Sequence, residues 1–572
     1  MLPADDDAPH DGVVTADAPD APLPAPRRGA LDRATDAYAS IERRLSDPRI
    51  RRRLEIAAPV TIVAVAAIAR LAGLGHPHQL VFDETYYVKE GWSMWQLGYE
   101  GDWAEDANER FEAGDPSGLT TEPDYVVHPP LGKWIIGMAM AMFGMADATW
   151  WRLPSAIAGI ITVALTYAIA RGLTRSIAFA SLTAGWLAID TFAIVMSRTA
   201  LLDGMLAMFV LAGAGALLLD RRGSPARSVR ALGGGLRGWA AMTWGRPWLL
   251  AAGVLLGAAC ATKWSGAAYL AVFGLWIVLM DVLDRRRAGY RRPWLLTLAT
   301  QAPASVVLLV GTALVVYVAS YAGWFDGGWG SQVALERADL RWGGLLAWVP
   351  LGLQSLWMYH AQQLGFHVGL DRDHVYQSPA IEWLWLGRPT AFEMGTVGEG
   401  VWWITAVPNV LVWYAGMLGI GVLLFMLGRR LDRTAGFLLL GVAAGWVPWL
   451  LVPERTIFFF YVIVFYPFVV IGLAYALQWL VGPTPALAVL QRRGADASAR
   501  LDADLAIAVP PPAPPAGPSD DVERRAAGWA AIAVIVLVSL FVFAWFLPVA
   551  YGIPMAEPDV RLRYWPPPPL WP

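Results

Sequence analysis

Long apolar runs recur along most of the 572 residues, separated by short polar segments. Several of them approach 20 residues, about the length at which an α-helix crosses the hydrocarbon core of a bilayer. We count eleven such spans. They run over 57–75, 152–171, 175–192, 199–220, 247–262, 265–282, 294–320, 404–428, 434–452, 456–480 and 527–549. The pattern predicts an all-α polytopic membrane protein.

One further apolar run, 131–146, is about 16 residues long and therefore short for a span. It begins directly after Pro129 and Pro130, which suits the start of a helix. Counting it as a span would invert every later loop. We therefore expect a helix that lies along the outer membrane surface.

Positive charge orients the spans. Arg49, Arg51, Arg52 and Arg53 precede the first span, which favours a cytoplasmic N-terminus. When eleven spans are threaded from there, the inferred cytoplasmic segments carry 30 of the 44 Lys and Arg residues and the outer segments carry 13, with Arg70 inside a span. This asymmetry supports the odd number of spans.

The spans also divide the chain into four parts and two long outer loops. The parts are a low-complexity and basic cytoplasmic N-terminus (1–56), a transmembrane core (57–481), a Pro-rich cytoplasmic linker (482–526) and the last helix with an outer tail (527–572). Within the core, we name 76–151 the first outer segment and 321–403 the second outer segment. The first part of the N-terminus, up to about residue 30, is predicted to be disordered.

Composition supports the membrane class. The chain is 56% hydrophobic and 16% charged, with a mean hydropathy of +0.44, which excludes an ordinary soluble protein. The single cysteine, Cys260, permits no intrachain disulfide, and residues 1–56 contain no apolar core of a cleavable signal peptide. We expect no nucleic-acid partner.

The stretch FDETYY, which includes Asp83 and Glu84, follows the first span at the predicted outer surface. Further charged or titratable residues fall at the same predicted face. They are His128, Lys133, Arg152, Arg198, Asp203, Lys263, His360, His374, Glu454 and Arg455. Ionisable groups close to the hydrocarbon are expensive, so such residues are candidates for a functional site.

Each of these residues also has a local explanation. Arg198 and Asp203 could form an ion pair along one helix, and Lys263 could extend toward the interface. Glu454 and Arg455 could form a turn, and the histidines could be ordinary loop residues. None of these explanations accounts for the convergence of so many groups on one face.

The chemistry that fits this face is group transfer from a lipid-linked donor. Arg and Lys can hold a lipid phosphate at the membrane surface. A leaving phosphate is already a stable anion, so the enzyme needs cations to bind it and one carboxylate to deprotonate the acceptor hydroxyl. Direct displacement by that hydroxyl would invert the anomeric centre.

Eight motifs in order resemble the protein O-mannosyltransferase family, and in particular its actinobacterial polyprenol-phosphate-mannose–protein mannosyltransferases. The motifs are DETYYVKEGW, VHPPLGKW, WWRLPS, SRTALLDG, ATKWSG, YH followed by HVYQSP, LGRPT and PERTIFFFY. The resemblance covers roughly residues 55–482 and continues through the last span. The sequence departs from the family in HVYQSP, where a Pro is expected in place of Val375, and in a second outer segment too short for the MIR domain of eukaryotic members.

The resemblance implies a GT-C glycosyltransferase fold with membrane-parallel helices and the catalytic acid in the first outer loop. Asp83 matches the proposed base of the family, and Glu84 matches the neighbouring acid that shapes substrate binding. Arg152 matches a functionally important arginine. Arg198, Lys263 and Arg455 are candidate ligands of the donor phosphate or sugar, partly by geometric inference.

The implied activity is transfer of mannose from polyprenyl-phosphate-mannose to Ser or Thr hydroxyls at the extracytoplasmic face of a bacterial plasma membrane. The expected partners are membrane lipids, this lipid-linked donor and secreted or membrane proteins, with the secretion translocon as a further candidate. No cofactor is called for. The acids and histidines lack the spacing of dedicated metal ligands, which leaves a divalent ion near Asp83 open.

Three alternatives remain at this point. A transferase of the same fold could place its sugar on a lipid or a cell-wall glycan, because the sequence encodes acceptor identity poorly. A transporter would place charges at mid-bilayer and would often show an internal repeat, and neither is seen here. A non-catalytic scaffold would leave the clustered charges unexplained.

Overall fold

The computed structural model describes residues 30–45, 47–233, 242–482 and 518–564. Within these ranges the protein is mostly helical with two small antiparallel pairs of strands, so the predicted all-α polytopic class is confirmed. The predicted disordered stretch before residue 30 and most of the predicted linker at 482–526 lie outside the described residues.

The N-terminal half contains eleven helices. They are α1 (Ala30–Leu45), α2 (Pro48–Leu71), α3 (Glu84–Leu97), α4 (Ala107–Glu112), α5 (Leu131–Phe143), α6 (Ala148–Thr174), α7 (Ile177–Ile189), α8 (Thr191–Arg198), α9 (Leu202–Gly233), α10 (Pro247–Thr262) and α11 (Gly266–Arg287). Between α3 and α5 the chain forms an antiparallel pair of strands, β1 (Gly101–Trp103) and β2 (Leu119–Pro123).

The C-terminal half contains seven labelled helices. They are α12 (Pro293–Ser320), α13 (Leu351–Val368), α14 (Val410–Arg430), α15 (Arg433–Leu450), α16 (Tyr466–Val481), α17 (Pro518–Tyr551) and α18 (Glu557–Arg561). Short helical turns lie at Trp324–Gly327, Val333–Glu336, Ala338–Leu340, Gly344–Leu346, Ala380–Trp385 and Phe459–Val464. A second antiparallel hairpin, β3 (Ala391–Val397) and β4 (Gly400–Thr405), precedes α14.

Every predicted span overlaps a helix or, for the third span, a bent pair of helices. Within the described residues, eight helices are long and apolar enough to cross a membrane, namely α2, α6, α9, α11, α12, α14, α15 and α17. The bent pair α7 and α8 would make nine. Helices α10 and α16 match two further spans but have only 16 residues each. The number eleven therefore stays a prediction.

Helices extend past the predicted boundaries at both ends of the core. Helix α1 and the first turns of α2 fall within the predicted N-terminal segment, and α17 begins inside the predicted linker. The structure does not test the division into four parts, which stays a prediction.

The third predicted span is bent by 56° between α7 and α8. The break leaves carbonyl groups without helical partners, and the buried Arg70 of α2 donates to the carbonyls of Leu187 and Ala188, both at 3.1 Å. Asp190 accepts from the backbone N–H of Ala193 at 2.9 Å and so starts α8. These polar partners permit a bend because they pair backbone groups that the break would otherwise leave without a partner in an apolar surrounding.

The first outer segment folds around a close crossing of α3 and α5. A Cβ atom on Gly137 would lie 2.0 Å from the carbonyl oxygen of Gly91, so only glycine allows this approach. The run predicted as a membrane-surface helix is thus helical as α5 and packs one face on α3. Met138 and Met142 are exposed on α5, as an interfacial helix requires, and its position along the membrane stays a prediction.

Candidate active site

Asp83 lies at the N-terminal end of α3, held there by the residue before it. Phe82 has φ +52°, a left-handed conformation that is rare for a bulky residue and is found where surrounding contacts enforce it. The enforcing contacts are aromatic. The Phe82 ring lies edge-on to the rings of Phe392 (5.1 Å), Phe460 (5.7 Å), Phe458 (5.9 Å) and His374 (6.3 Å).

The Asp83 carboxylate is partly buried and accepts a hydrogen bond from the Tyr87 hydroxyl at 3.3 Å. Burial raises the pKa of Asp83 to about 6; the positive charge of Lys263 opposes this rise and the negative charge of Asp203 adds to it. An acid with this pKa is mostly ionised at neutral pH and is a stronger base than an ordinary aspartate. These properties suit a general base.

Lys263 and Asp203 form a buried pair beside this acid. Lys263 follows the C-terminal end of α10, Asp203 lies in the first turn of α9, and Nζ of Lys263 lies 2.9 Å from both carboxylate oxygens of Asp203. The ammonium also lies 4.3 Å from the ring centre of Tyr461. Asp203 therefore binds Lys263 in place of the local partner, Arg198, that its sequence position allowed.

Arg455 is held by a histidine that the sequence analysis did not single out. Its Nε donates to the carbonyl of His367 and its Nη2 donates to Nδ1 of the same residue, both at 3.1 Å. Nε2 of His367 donates to the Val127 carbonyl at 2.9 Å, which fixes the tautomer. Arg455 also lies over the Trp449 ring at 5.3 Å, and its Nη1 makes no hydrogen bond to the described part of the chain.

His128 connects this group to the acid. Its ring stacks on His367 at 5.5 Å and lies 5.8 Å from the ring of Tyr87, which bonds Asp83. Burial lowers the pKa of His128 well below its usual range, and the positive charge of Lys263 lowers it further. Burial also lowers the pKa of His367. Both imidazoles are therefore neutral at physiological pH.

Glu84 and Arg152 form a separate, fully buried pair. All five N–H groups of Arg152 are used: Nε and Nη2 donate to the two carboxylate oxygens of Glu84 at 2.8 Å each, and the rest donate to backbone carbonyls. The carbonyls belong to Leu74 (3.3 Å), Pro77 (2.8 Å) and Gln79 (2.8 Å). Arg152 thus holds the loop between α2 and α3, which leads to Asp83, in place. It has no N–H group left to donate to a ligand.

Arg198 also binds backbone carbonyl groups, in this case those at the C-terminal end of α2. Its guanidinium donates to the carbonyls of Arg70 (3.2 Å), Ala72 (2.7 Å) and Gly73 (2.7 Å), and it lies over the Tyr551 ring at 4.5 Å. A cation at these carbonyls completes the C-terminal end of a helix. The structure does not bring Arg198 into contact with the Lys263 and Asp203 pair.

The remaining candidates fall in different places. Lys133 is buried against Glu90 (3.1 Å) and Glu100 (2.5 Å). Nδ1 of His360 donates to the Leu356 carbonyl and Nε2 accepts from Tyr317, both at 2.6 Å. His374 contacts the aromatic cluster around Phe82, and Glu454 is exposed. Within the described residues, no group of three or more His, Cys, Asp and Glu side chains could hold a metal ion.

Sequence reasoning missed Tyr87, Tyr461 and above all His367. His360 and His367 are seven residues apart, two turns along α13, so both lie on one side of that helix. This spacing was visible, because His360 was already a candidate. Tyr87 lies in the motif DETYYVKEGW and Tyr461 ends PERTIFFFY, so both were visible in the motifs, but neither was singled out as a site residue.

The fold and the site together define the class of protein. The chain superimposes on the S. cerevisiae protein O-mannosyltransferase Pmt1–Pmt2 complex bound to the sugar donor with a TM-score of 0.63 and 14% identity, covering 89% of this chain and 91% of the other. This likeness shows the fold. The molecule is a polytopic membrane protein with the GT-C fold.

Sequence comparison identifies the family. Residues 60–300 match the dolichyl-phosphate-mannose-protein mannosyltransferase family, and residues 352–567 match the C-terminal four-helix transmembrane region of protein O-mannosyltransferases. The polyprenol-phosphate-mannose–protein mannosyltransferase of Mycobacterium tuberculosis is 30% identical over 88% of this chain and 90% of its own length. That of Corynebacterium glutamicum is 31% identical over 73% and 81%. The chain belongs to the protein O-mannosyltransferase family and is a mannosyltransferase.

Proposed function

We propose that this enzyme transfers mannose from polyprenyl-phosphate-mannose to Ser and Thr hydroxyls of proteins at the extracytoplasmic face of the plasma membrane. The names of the bacterial relatives support this donor and a protein acceptor. The predicted topology, with a cytoplasmic N-terminus, places the acceptors on the far side, where proteins leave the secretion translocon. The observation that carries the proposal is the partly buried Asp83 carboxylate, which accepts from Tyr87 and lies near the buried pair of Lys263 and Asp203.

In the proposed reaction, the acceptor hydroxyl oxygen attacks the anomeric carbon of mannose from the face opposite the phosphate. The bond from this carbon to the phosphate oxygen breaks, and polyprenyl phosphate leaves as an anion. Asp83 takes the hydroxyl proton, and no second acid is needed because the phosphate leaves as an anion. Attack from the face opposite the phosphate inverts the anomeric centre. The Tyr87 hydroxyl holds one carboxylate oxygen of Asp83 in place for this step.

The hydrogen bonds divide the four predicted cations into two groups. Arg455 keeps Nη1 free of bonds to the described chain, and Lys263 has three N–H groups for the two oxygens of Asp203, so both can bind a phosphate oxygen. Arg152 donates all five N–H groups to Glu84 and to backbone carbonyls. Arg198 donates through Nη1 and Nη2 to the carbonyls that end α2 and does not contact the Lys263 and Asp203 pair. We assign Arg455 and Lys263 to the donor phosphate and the other two to positioning the first outer segment.

The test is transfer by purified enzyme in nanodiscs, with polyprenyl-phosphate-mannose and a synthetic peptide that contains one threonine. Asp83→Asn should abolish transfer while the variant stays folded and keeps donor binding. Glu105→Gln, which changes an exposed acid of the same segment, should keep full activity. Turnover by Asp83→Asn at the wild-type rate would exclude Asp83 as the base. Transfer to lipid or glycan acceptors but not to peptides would overturn the proposed acceptor.

A further inference from the structure

The β3–β4 hairpin has one closed edge and one open edge. Its two-residue turn begins at Gly398, whose φ of +59° is what a type II′ turn requires at this position. The outer edge of β4 is closed by the chain after α17: Val401 N–H donates to the Met555 carbonyl at 2.8 Å, and Met555 N–H donates back at 2.9 Å. Within the described residues, β3 has no neighbour other than β4.

The direction of the backbone groups on β3 follows from the pairing. Thr396 lies opposite Val401, whose N–H and C=O both point away from β3 toward Met555. In an antiparallel ladder, residues of such a pair direct their backbone groups to the two outer edges. The N–H and C=O of Thr396 therefore point to the open edge. Met394, two residues earlier and opposite Trp403, directs its backbone groups the same way, and its N–H donates to Oε1 of Glu393 at 3.2 Å, a bond that an added strand would replace.

The open edge is exposed and unprotected. The side chains of Met394 and Val397 are 52% and 61% exposed, and Thr396 is exposed as well. Natural proteins usually block such edges with Pro, Lys or a bulge, because an unpaired strand accepts further strands. The β3 sequence, AFEMGTV, contains neither Pro nor Lys, and its one irregularity lies near Ala391, away from the open positions.

This edge begins at the candidate active site. Phe392, in the second position of β3, contacts the ring of Phe82 at 5.1 Å, and Phe82 directly precedes Asp83. A peptide paired with β3 would lie about 4.8 Å from it and advance about 3.3 Å per residue. Residues of such a peptide beyond Met394 would reach the neighbourhood of Asp83 after a few steps.

We propose that the open edge of β3 binds the acceptor polypeptide as an added strand. Backbone hydrogen bonds to Met394 and Thr396 would hold an extended segment and carry its Ser or Thr hydroxyl to Asp83. Backbone pairing gives affinity without strong side-chain preference. The substrate class would be unfolded protein segments of varied sequence, because a folded segment has no free backbone groups to offer. This inference rests on the proposed function.

The first test leaves the enzyme unchanged. A synthetic peptide with a single threonine is N-methylated at one backbone position at a time, and the KM for each peptide is measured at saturating polyprenyl-phosphate-mannose. Strand addition predicts that every second methyl group raises the KM by about 3- to 10-fold or more, the loss expected for one backbone hydrogen bond. The methyl groups between them should have little effect. Equal effects at all positions, or none, would overturn the inference while leaving the proposed function intact.

The second test alters the strand. Thr396→Pro removes the N–H that points to the open edge without removing a bond to β4, whereas Thr396→Val keeps the N–H and removes only the hydroxyl. We expect Thr396→Pro to raise the peptide KM at an unchanged donor KM, and Thr396→Val to behave as wild type. Equal effects of the two variants would contradict backbone pairing. A changed oligomeric state with an unchanged peptide KM would assign the edge to a second copy of the chain. If the parent peptide is not mannosylated at all, the proposed function fails and this inference fails with it.

Discussion

Substitutions in the buried pair of Glu84 and Arg152 can distinguish a structural role of Glu84 from a chemical one. Glu84→Gln replaces one carboxylate oxygen by an NH2 group and keeps the shape of the side chain. Both residues are essentially inaccessible to solvent, at 0% and 1% exposure. If Glu84 acts only as the counter-ion of Arg152, this substitution should destabilise the first outer segment before it affects the chemistry.

The magnitude follows from the four hydrogen bonds of Glu84. One oxygen accepts from Arg152 Nε (2.8 Å) and from the N–H of Ala200 (2.7 Å), and the other accepts from Arg152 Nη2 (2.8 Å) and from the N–H of Val81 (2.9 Å). A glutamine has one acceptor oxygen, so two of the four donors lose their partner. Breaking a buried ion pair while leaving one charge costs about 3–5 kcal/mol. A typical protein is stable by about 5–15 kcal/mol, so this is a large fraction.

The measurement is denaturant unfolding in micelles, followed by tryptophan fluorescence, with Glu84→Gln, Arg152→Met and the double variant. Glu84→Gln should lower the free energy of unfolding by about 3 kcal/mol or more. The double variant should be less destabilised than the sum of the single variants, because it leaves no unpaired charge. Full stability of Glu84→Gln together with lost transfer would refute the counter-ion role and return Glu84 to the chemistry.

Further predictions concern the acid and the phosphate site. If Asp83 is the base that we propose, it acts in its ionised form, and burial raises its pKa to about 6. The kcat/KM for the peptide should then be level above that pH and fall about tenfold per pH unit below it. Asp83→Glu should shift the pH at which kcat/KM begins to fall, and an unshifted profile would assign the titration to another group. Arg455→Ala should raise the KM for the donor at least about tenfold, because hydrogen bonds to a charged group contribute about 1.5–3 kcal/mol. The KM for the peptide should stay within about twofold of the wild-type value. An unchanged donor KM would exclude Arg455 from the phosphate site. His367→Phe keeps an aromatic ring but removes Nδ1, which accepts from Arg455. This variant should raise the donor KM by less than Arg455→Ala does. An effect on the peptide KM alone would contradict a role of His367 in positioning Arg455.

The structure changes how the charged residues of one face are understood. From the sequence, the predicted cations formed one set at the outer surface. In the structure, Arg152 donates all its N–H groups to Glu84 and to backbone carbonyls, and Arg198 binds the carbonyls at the end of α2. Lys263 instead lies near Asp83, and Arg455 is connected to Asp83 through the rings of His367, His128 and Tyr87. The distinction rests on hydrogen-bond partners distant in sequence, which no local pattern reveals. The catalytic roles on either side of this division are proposals for the assays above.

The bent span shows the same limit within the fold. The run 175–192 reads as one apolar segment, yet the structure breaks it at Asp190 and continues as α8. Arg70, which looked like an isolated charge inside a span, supplies the partners that the break needs. The sequence pattern alone explains neither the break at Asp190 nor the charge of Arg70 inside a span. The break provides the carbonyl groups that Arg70 binds, and Arg70 provides the donors that these carbonyl groups need.

The sequence by itself determined the class of this protein and the positions of its long apolar helices, and it led to the proposal of Asp83 as the acid of the site. These follow from local properties: the length of apolar runs reflects the thickness of a bilayer, and DETYY with seven further motifs is specific to one family. Only the tertiary structure decided which cations have N–H groups left for a ligand, which histidine holds Arg455, and which strand edge stays open beside Phe82. Those properties depend on where the chain crosses itself, because a hydrogen-bonding group is free or occupied according to neighbours that lie far away in sequence.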